Sequence, residues 1–337
     1  IMNIAIVGAT GNVGRKLIEV LEKKNFNISE LFLIASSKSE GKKINFKGKE
    51  HTVIDLEKFD FSKVKIAFFA AGSAIAEKWA HIAAEKTVVI DNSKFFRKDP
   101  DIPLIVPEVN SKQLINFKNK NIIANANCSV IPVVVALKPL HDLYNIKRIV
   151  ASTYQSVSGA GKAPMDELLS QTQKFFQNEK LESKYFTKQI AFNAIPHIDS
   201  FLENGYTKEE QKTTDEIKKI LDKKIKITST CVRIPVLVSH SISVNVEFNK
   251  KCNLEEIRNV LSSSSGCKVV DEKKDGGYIT PVEAEDKFET FISRIRLDDS
   301  QPNTINLWIV SDNLLKGAAL NAVQTAEALI KNDFYGQ

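Results

Sequence analysis

The chain has 337 residues, of which 43% are hydrophobic and 26% charged. That length exceeds what one hydrophobic core commonly supports, so two domains are expected, and the composition excludes a disordered or fibrous chain. Lys and Arg outnumber Asp and Glu by 47 to 41, but the excess is interleaved with acids, as in Glu22-Lys23-Lys24 and Asp271-Glu272-Lys273-Lys274, so a solvated surface is expected and a nucleic-acid partner is not.

The first third alternates short apolar runs with amphipathic segments. Residues 4–7 read as a strand, Val13, Leu17, Val20 and Leu21 mark a helix, and 31–35 read as a second strand. Further strands are expected at 66–70, 88–91, 104–106 and 122–124, with a helix over 74–84. Short apolar strands separated by helices imply a mostly parallel sheet covered on both faces. Beyond residue 127 the runs at 149–157 and 241–248 are longer and alternate in polarity, which suits an α+β domain. Helices are expected over 163–177 and 207–223, the second opening with Thr207 and Glu210 at capping-box spacing. A last helix is expected over 314–331. No segment reaches the unbroken apolar length of a membrane span.

Gly8-Ala9-Thr10-Gly11-Asn12-Val13-Gly14 follows the first strand and opens the first helix. Glycines there allow a tight turn and close backbone approach, and the helix N-terminus offers free N–H groups to a pyrophosphate. The spacing is GxxGxxG, and its position after the first strand carries more weight than the glycines do. An NAD site commonly places a carboxylate at the end of the second strand. Here Ser36-Ser37-Lys38-Ser39 stands there, with no acid before Glu40. Hydroxyls and a cation suit a 2′-phosphate, so NADP is expected, with Ser36, Lys38 and Ser39 on that phosphate.

Cys128 lies in Asn125-Ala126-Asn127-Cys128-Ser129, just before an apolar stretch over 130–140 whose Pro132 fits a first helical turn. A thiol at a helix N-terminus is biased toward the thiolate, the form that attacks carbonyls. Backbone N–H groups at the same terminus suit a developing oxyanion. The four cysteines, Cys128, Cys231, Cys252 and Cys267, form neither a CxxC pair nor a Cys/His cluster of zinc spacing, so no metal is expected and a reducing, cytoplasmic setting is.

Asn127-Cys128-Ser129 together with the glycine loop resembles the aspartate-semialdehyde dehydrogenase family. Tyr154-Gln155-Ser156-Val157-Ser158-Gly159-Ala160-Gly161 is similar to the family segment whose glutamine orients the acyl intermediates, which implies that role for Gln155. Arg233-Ile234-Pro235-Val236-Leu237-Val238-Ser239-His240 resembles the stretch with a carboxylate-binding arginine, Arg233, and an acid/base histidine, His240. Gly205-Tyr206-Thr207-Lys208-Glu209-Glu210-Gln211-Lys212 implies Glu209 for the substrate ammonium and Lys212 for phosphate. Asn92-Ser93-Lys94-Phe95-Phe96-Arg97 implies Arg97 for phosphate, with Asn127 also on the substrate. Gly72, Ser158, Gly159 and Asn313 are implied on the cofactor. Two departures stand out: Ala126 where the family has proline and Ser239 where it has glycine.

The resemblance implies a Rossmann-type domain over 1–127, completed by a C-terminal helix over 314–337, and an α+β catalytic and dimerisation domain over 128–313, like glyceraldehyde-3-phosphate dehydrogenase. It implies reduction of L-aspartyl-4-phosphate by NADPH through a Cys128 thioester, with release of phosphate, in a homodimer. In that chemistry a neutral His240 takes the thiol proton and later returns one. N-acetyl-γ-glutamyl-phosphate reductase and glyceraldehyde-3-phosphate dehydrogenase share the thioester logic. Glu209 argues against an acylated amine, and the Ser36 loop against an NAD enzyme. A non-catalytic NADP-binding sensor would need the glycine loop but not Cys128, Gln155 and His240 together.

Overall fold

The computed structural model describes residues 2–332. The chain divides into two compact units, one running to Ala126 and resumed from Ala318 onward, the other spanning Asn127–Gly317.

In the first unit β1 (Met2–Val7) leads through the glycine loop into α1 (Asn12–Lys23) and then β2 (Ile28–Ala35). Gly14, Leu17, Ile18, Val20 and Leu21 are the buried stripe of α1, the spacing that a helix lying on a sheet requires. A hairpin of β3 (Lys43–Phe46) and β4 (Lys49–Thr52), and the short β5 (Ile54–Asp55), follow. Then come β6 (Ile66–Phe69), α2 (Ser73–Ala84), β7 (Val88–Asp91), β8 (Leu104–Ile105), α3 (Pro107–Asn110) and β9 (Ile122–Asn125). The sheet order is β5-β2-β1-β6-β7-β9-β8, parallel throughout. The strands β6, β7 and β9 are buried along their whole length, as strands covered on both faces must be. Strand order reverses between β1 and β6, and the crevice at such a reversal is where sheets of this kind bind ligands.

The second unit carries α4 (Val130–Tyr144), β10 (Ile146–Gln155), α5 (Lys162–Phe176), α6 (Lys208–Ile220), β11 (Lys226–Arg233) and β12 (His240–Phe248). It continues with α7 (Leu254–Ser263), β13 (Cys267–Val269), α8 (Pro281–Ala284), β14 (Thr290–Leu297) and β15 (Thr304–Ser311). Its mixed sheet runs β11-β10-β12-β15-β14-β13. The capping box expected at Thr207 and Glu210 is formed and starts α6. Inside α4, Pro139 has no N–H for the carbonyl of Val135, and the Cys267 thiol faces that oxygen at 3.6 Å.

The last helix is not one continuous α-helix over 314–331. Residues Leu315–Ala319 form a π-helical turn, and the α-helix is Leu320–Lys331. Asp312 sets the wider turn: its carboxylate accepts from the N–H groups of Leu314 and Leu315, and its carbonyl accepts from Gly317 N–H five residues on. Of the segment expected over 314–337, residues 333–337 lie outside the described residues.

Candidate active site

The first unit offers a cavity of about 360 Å3 at the strand-order reversal, lined by Gly8, Thr10, Gly11, Ser36, Ala70 and Ala71 among others. Two of the loop glycines are demanded by the fold itself. Gly8 has φ +87, and a Cβ on it would lie 2.5 Å from the Ala70 carbonyl oxygen; a Cβ on Gly14 would lie 2.1 Å from the oxygen of Gly8. Gly11 is different, because a Cβ there would meet only the Gly8 oxygen at 3.5 Å, an ordinary contact. Its missing side chain leaves open space, not packing. Gly11 and Gly72 are the N-caps of α1 and α2, and neither helix start has a side-chain cap. Two helix termini without a side-chain cap, one glycine that nothing in the fold requires and a hollow beside them fit a dinucleotide pyrophosphate. Ser36 lines the hollow, while Lys38 and Ser39 form the single 3-10 turn that follows it, with Lys38 exposed. Arg97 is buried in this unit, its Nε donating to the Asn125 carbonyl at 2.8 Å and its Nη2 to that of Asn92 at 3.1 Å.

The second unit gathers most of the remaining expected residues. Cys128 precedes Ser129, the N-cap of α4, and its Sγ is 3.2 Å from His240 Nε2. His240 opens β12, where it is fully buried. Gln155 and Arg233 end the parallel neighbours β10 and β11 in direct register. Glu209, on α6, holds the group together. One oxygen accepts from Asn127 Nδ2 at 2.9 Å and Gln155 Nε2 at 3.3 Å, the other from Lys212 Nζ at 2.7 Å. Burial alone would raise the Glu209 carboxyl, but the charge and hydrogen bond of Lys212, with Asn127 and Arg233, hold it below its usual value. Glu209 is therefore an anion at neutral pH. Burial likewise works against the Lys212 ammonium, and Glu209 and Asp199 outweigh it, keeping the lysine charged. Arg233 donates to the Ser156 carbonyl at 2.7 Å and shares with Asp199 the wall of a cavity of about 290 Å3.

A buried cation and a buried anion beside one thiol suit a small zwitterion carrying a reactive carbonyl. Cys231 also lies close to Glu209 and Arg233, but its thiol is disfavoured as a thiolate. Burial pushes the Cys231 thiol up to about 12, and Cys252 is raised by the same cause. Gly159 lies against the site, since a Cβ on it would come within 3.1 Å of His240 Nε2, and a Cβ on Gly317 would lie 3.1 Å from that of Cys128. The π turn is what brings the Gly317 backbone there.

Two family models match the chain, "Semialdehyde dehydrogenase, NAD binding domain" over residues 3–117 and "Semialdehyde dehydrogenase, dimerisation domain" over 137–316. Aspartate-semialdehyde dehydrogenase of Rickettsia bellii is 49% identical over 98% of both chains, and that of Aquifex aeolicus 50% over 97% of this chain and 98% of the other. The chain belongs to the aspartate-semialdehyde dehydrogenase family. The crystal structure of aspartate semialdehyde dehydrogenase II of Vibrio cholerae complexed with ASA superposes with a TM-score of 0.96, at 48% identity over 98% of each chain. Membership makes this an oxidoreductase fold with a nucleotide-binding half and a dimerisation half, and among the described residues no helix is long and apolar enough to cross a membrane.

Three groups at this family site escaped the sequence reading. Glu216 accepts from the Asn127 backbone N–H at 2.6 Å, directly before the nucleophile. It stands two turns beyond Glu209 on the same face of α6, so helical periodicity carried the signal. Asp199, paired with Lys212 at 2.9 Å, comes from a loop with no motif to mark it. Ser156 lay inside a quoted motif; both its backbone N–H, at 3.0 Å, and its hydroxyl, at 3.1 Å, meet His240 Nδ1, and no residue type announces the backbone contact.

Proposed function

We propose that the chain catalyses the reversible, NADPH-dependent reductive dephosphorylation of L-aspartyl-4-phosphate to L-aspartate-4-semialdehyde and phosphate. The observation that carries this reading is the pairing of Cys128 with His240 beside the anion Glu209 and the cation Arg233. Cys128 attacks the acyl carbon and displaces phosphate, leaving a thioester. Gln155 orients that acyl group, Arg233 grips the substrate carboxylate with its fork, and Glu209 with Asn127 receives the ammonium. Lys212 and Arg97 hold phosphate. When bound, the nicotinamide supplies the hydride. The cofactor would be held by Gly8, Thr10, Gly11, Asn12, Val13, Gly14 and Gly72 at the two helix termini, and by Ser158, Gly159 and Asn313 beside His240. Ser36, Lys38 and Ser39 would take the 2′-phosphate, hence NADP.

The same reading makes the protein a homodimer in the cytoplasm, working in lysine, threonine and methionine synthesis. Support for self-association comes from the dimerisation-domain match and from a half-exposed aromatic pair, Tyr154 and Trp308, on the second unit's sheet. The test of the covalent step is mass spectrometry after mixing with the semialdehyde and NADP in phosphate-free buffer. An acyl adduct on the peptide containing Cys128 is expected, and an adduct elsewhere or none at all would overturn the mechanism.

A further inference from the structure

Asn127 stands directly before Cys128, and every polar group it carries is held. Its side-chain Nδ2 donates to Glu209 at 2.9 Å, while its Oδ1 accepts from the Ser129 N–H at 2.8 Å and the Ser129 hydroxyl at 2.7 Å. Its carbonyl accepts from the N–H groups of Val130 and Ile131 at 2.9 and 3.0 Å. The start of α4 is therefore closed by Asn127 and not by the N-cap Ser129, whose side chain makes no capping bond. The last polar group of Asn127 is its backbone N–H, and the Glu216 carboxylate accepts it at 2.6 Å.

Glu216 is only 2% exposed, and an acid buried so deeply costs stability unless specific bonds offset it. Its neighbours on α6, Ile217 and Ile220, fill buried positions with apolar side chains that carry no such cost. Glu209, Lys212 and Glu216 stand at i, i+3 and i+7, on one face of the helix. Two turns, about 10 Å of helix axis, separate the two acids. Both nevertheless grip the same residue, Glu209 by its side chain and Glu216 by its main chain.

We propose that Glu216 is a positioning residue for the nucleophile: by accepting the Asn127 N–H, its carboxylate fixes the main chain that presents the Cys128 sulfur. Helix α6 then sets the separation between the ammonium-binding Glu209 and the attacking atom, because it holds both ends of that distance. This rests on the reading of Cys128 as nucleophile. Without the acceptor, a buried N–H would be left unpaired, and the chain would turn to satisfy it. That turn carries the next residue, Cys128, with it. Arg233 and Glu209 would still bind the substrate, so the loss falls on the chemical step.

The test is steady-state kinetics of Glu216→Gln, Glu216→Asp and Glu216→Ala with the semialdehyde, NADP and phosphate, expressed per folded protein from circular dichroism. Glutamine keeps an oxygen at the same reach and loses the charge; aspartate keeps the charge and falls one methylene short. The glutamine variant should keep a kcat close to the parent's. The aspartate and alanine variants should each lose about ten- to a hundredfold in kcat, the cost of a misplaced reacting atom, with little change in KM for the semialdehyde. An aspartate variant as fast as the parent, or a glutamine variant as slow as alanine, would overturn the proposal. Losses carried by KM would do the same, as would aspartate and alanine variants that fail to fold, which would make Glu216 a structural residue only. A Cys128→Ser enzyme that still turned over would remove the nucleophile reading whatever order the Glu216 variants take, so the two failures are distinguishable.

Discussion

Replacing Ser239 by glycine should stabilise the protein, against the usual direction for a glycine substitution. Ser239 is held at φ +77, in the left-handed region where a Cβ costs about 1–2 kcal/mol. Its hydroxyl is fully buried and has no hydrogen-bond partner among the described residues, a further cost of about 1 kcal/mol. Glycine removes both costs and gives back about 0.5–1 kcal/mol through the extra freedom of the unfolded chain. The Ser239 N–H, which donates to Asn313 Oδ1 at 2.8 Å, is untouched. The net gain is therefore about 1–2 kcal/mol. Ser239→Ala separates the contributions, since it removes the hydroxyl but keeps the strained backbone, and should gain only about 1 kcal/mol. Urea midpoints and calorimetry on the three proteins give the order Gly above Ala above Ser. A glycine variant less stable than the parent, or no better than alanine, would refute the strain argument.

The two loop glycines should fail in different ways. Gly14→Ala forces a Cβ to within 2.1 Å of backbone and should destabilise the protein by about 1–3 kcal/mol or prevent folding, whereas Gly11→Ala should stay within about 1 kcal/mol of the parent in melting experiments yet bind NADP at least about tenfold more weakly. Between pH 6.5 and 3 the unfolded chain protonates a histidine that the folded protein keeps neutral, so stability should fall on acidification by about 1.4 kcal/mol per unit. His240→Asn should flatten that slope, measured between pH 6 and 5, above the range in which Glu209 contributes; an unchanged slope would contradict the depressed histidine. Arg233→Leu should raise the KM for the semialdehyde by about ten- to a hundredfold, from loss of a charge-assisted contact worth about 1.4–2.7 kcal/mol, and an unchanged KM would remove Arg233 from the substrate.

The first unit was legible because its signals are local. Apolar strands of four to eight residues, a glycine loop placed between strand and helix, and a helical stripe from Leu17 to Leu21 each depend on near neighbours in sequence. The hairpin of β3 and β4 was not, since Lys43, Lys49 and Glu50 make its strands polar and the two pair as a two-stranded sheet of their own. In the second unit the parallel pairing of Gln155 with Arg233 joins residues far apart in the chain, and local pattern does not encode such a register. The π turn at Leu315–Ala319 escaped for a related reason, because the Asp312 bonds that widen it leave the apolar periodicity unchanged. At the site, residue types announced Cys128, His240, Arg233 and Glu209 through their motifs. The main-chain N–H of Ser156 that meets His240 Nδ1 has no side-chain signature.

The central claim is tested most directly by following NADP reduction with L-aspartate-β-semialdehyde, with and without inorganic phosphate, against NAD and against Cys128→Ser. The account predicts phosphate-dependent reduction of NADP, much weaker use of NAD, and loss of turnover in the serine variant. Turnover that needs no phosphate, that favours NAD, or that survives without the thiol would contradict it.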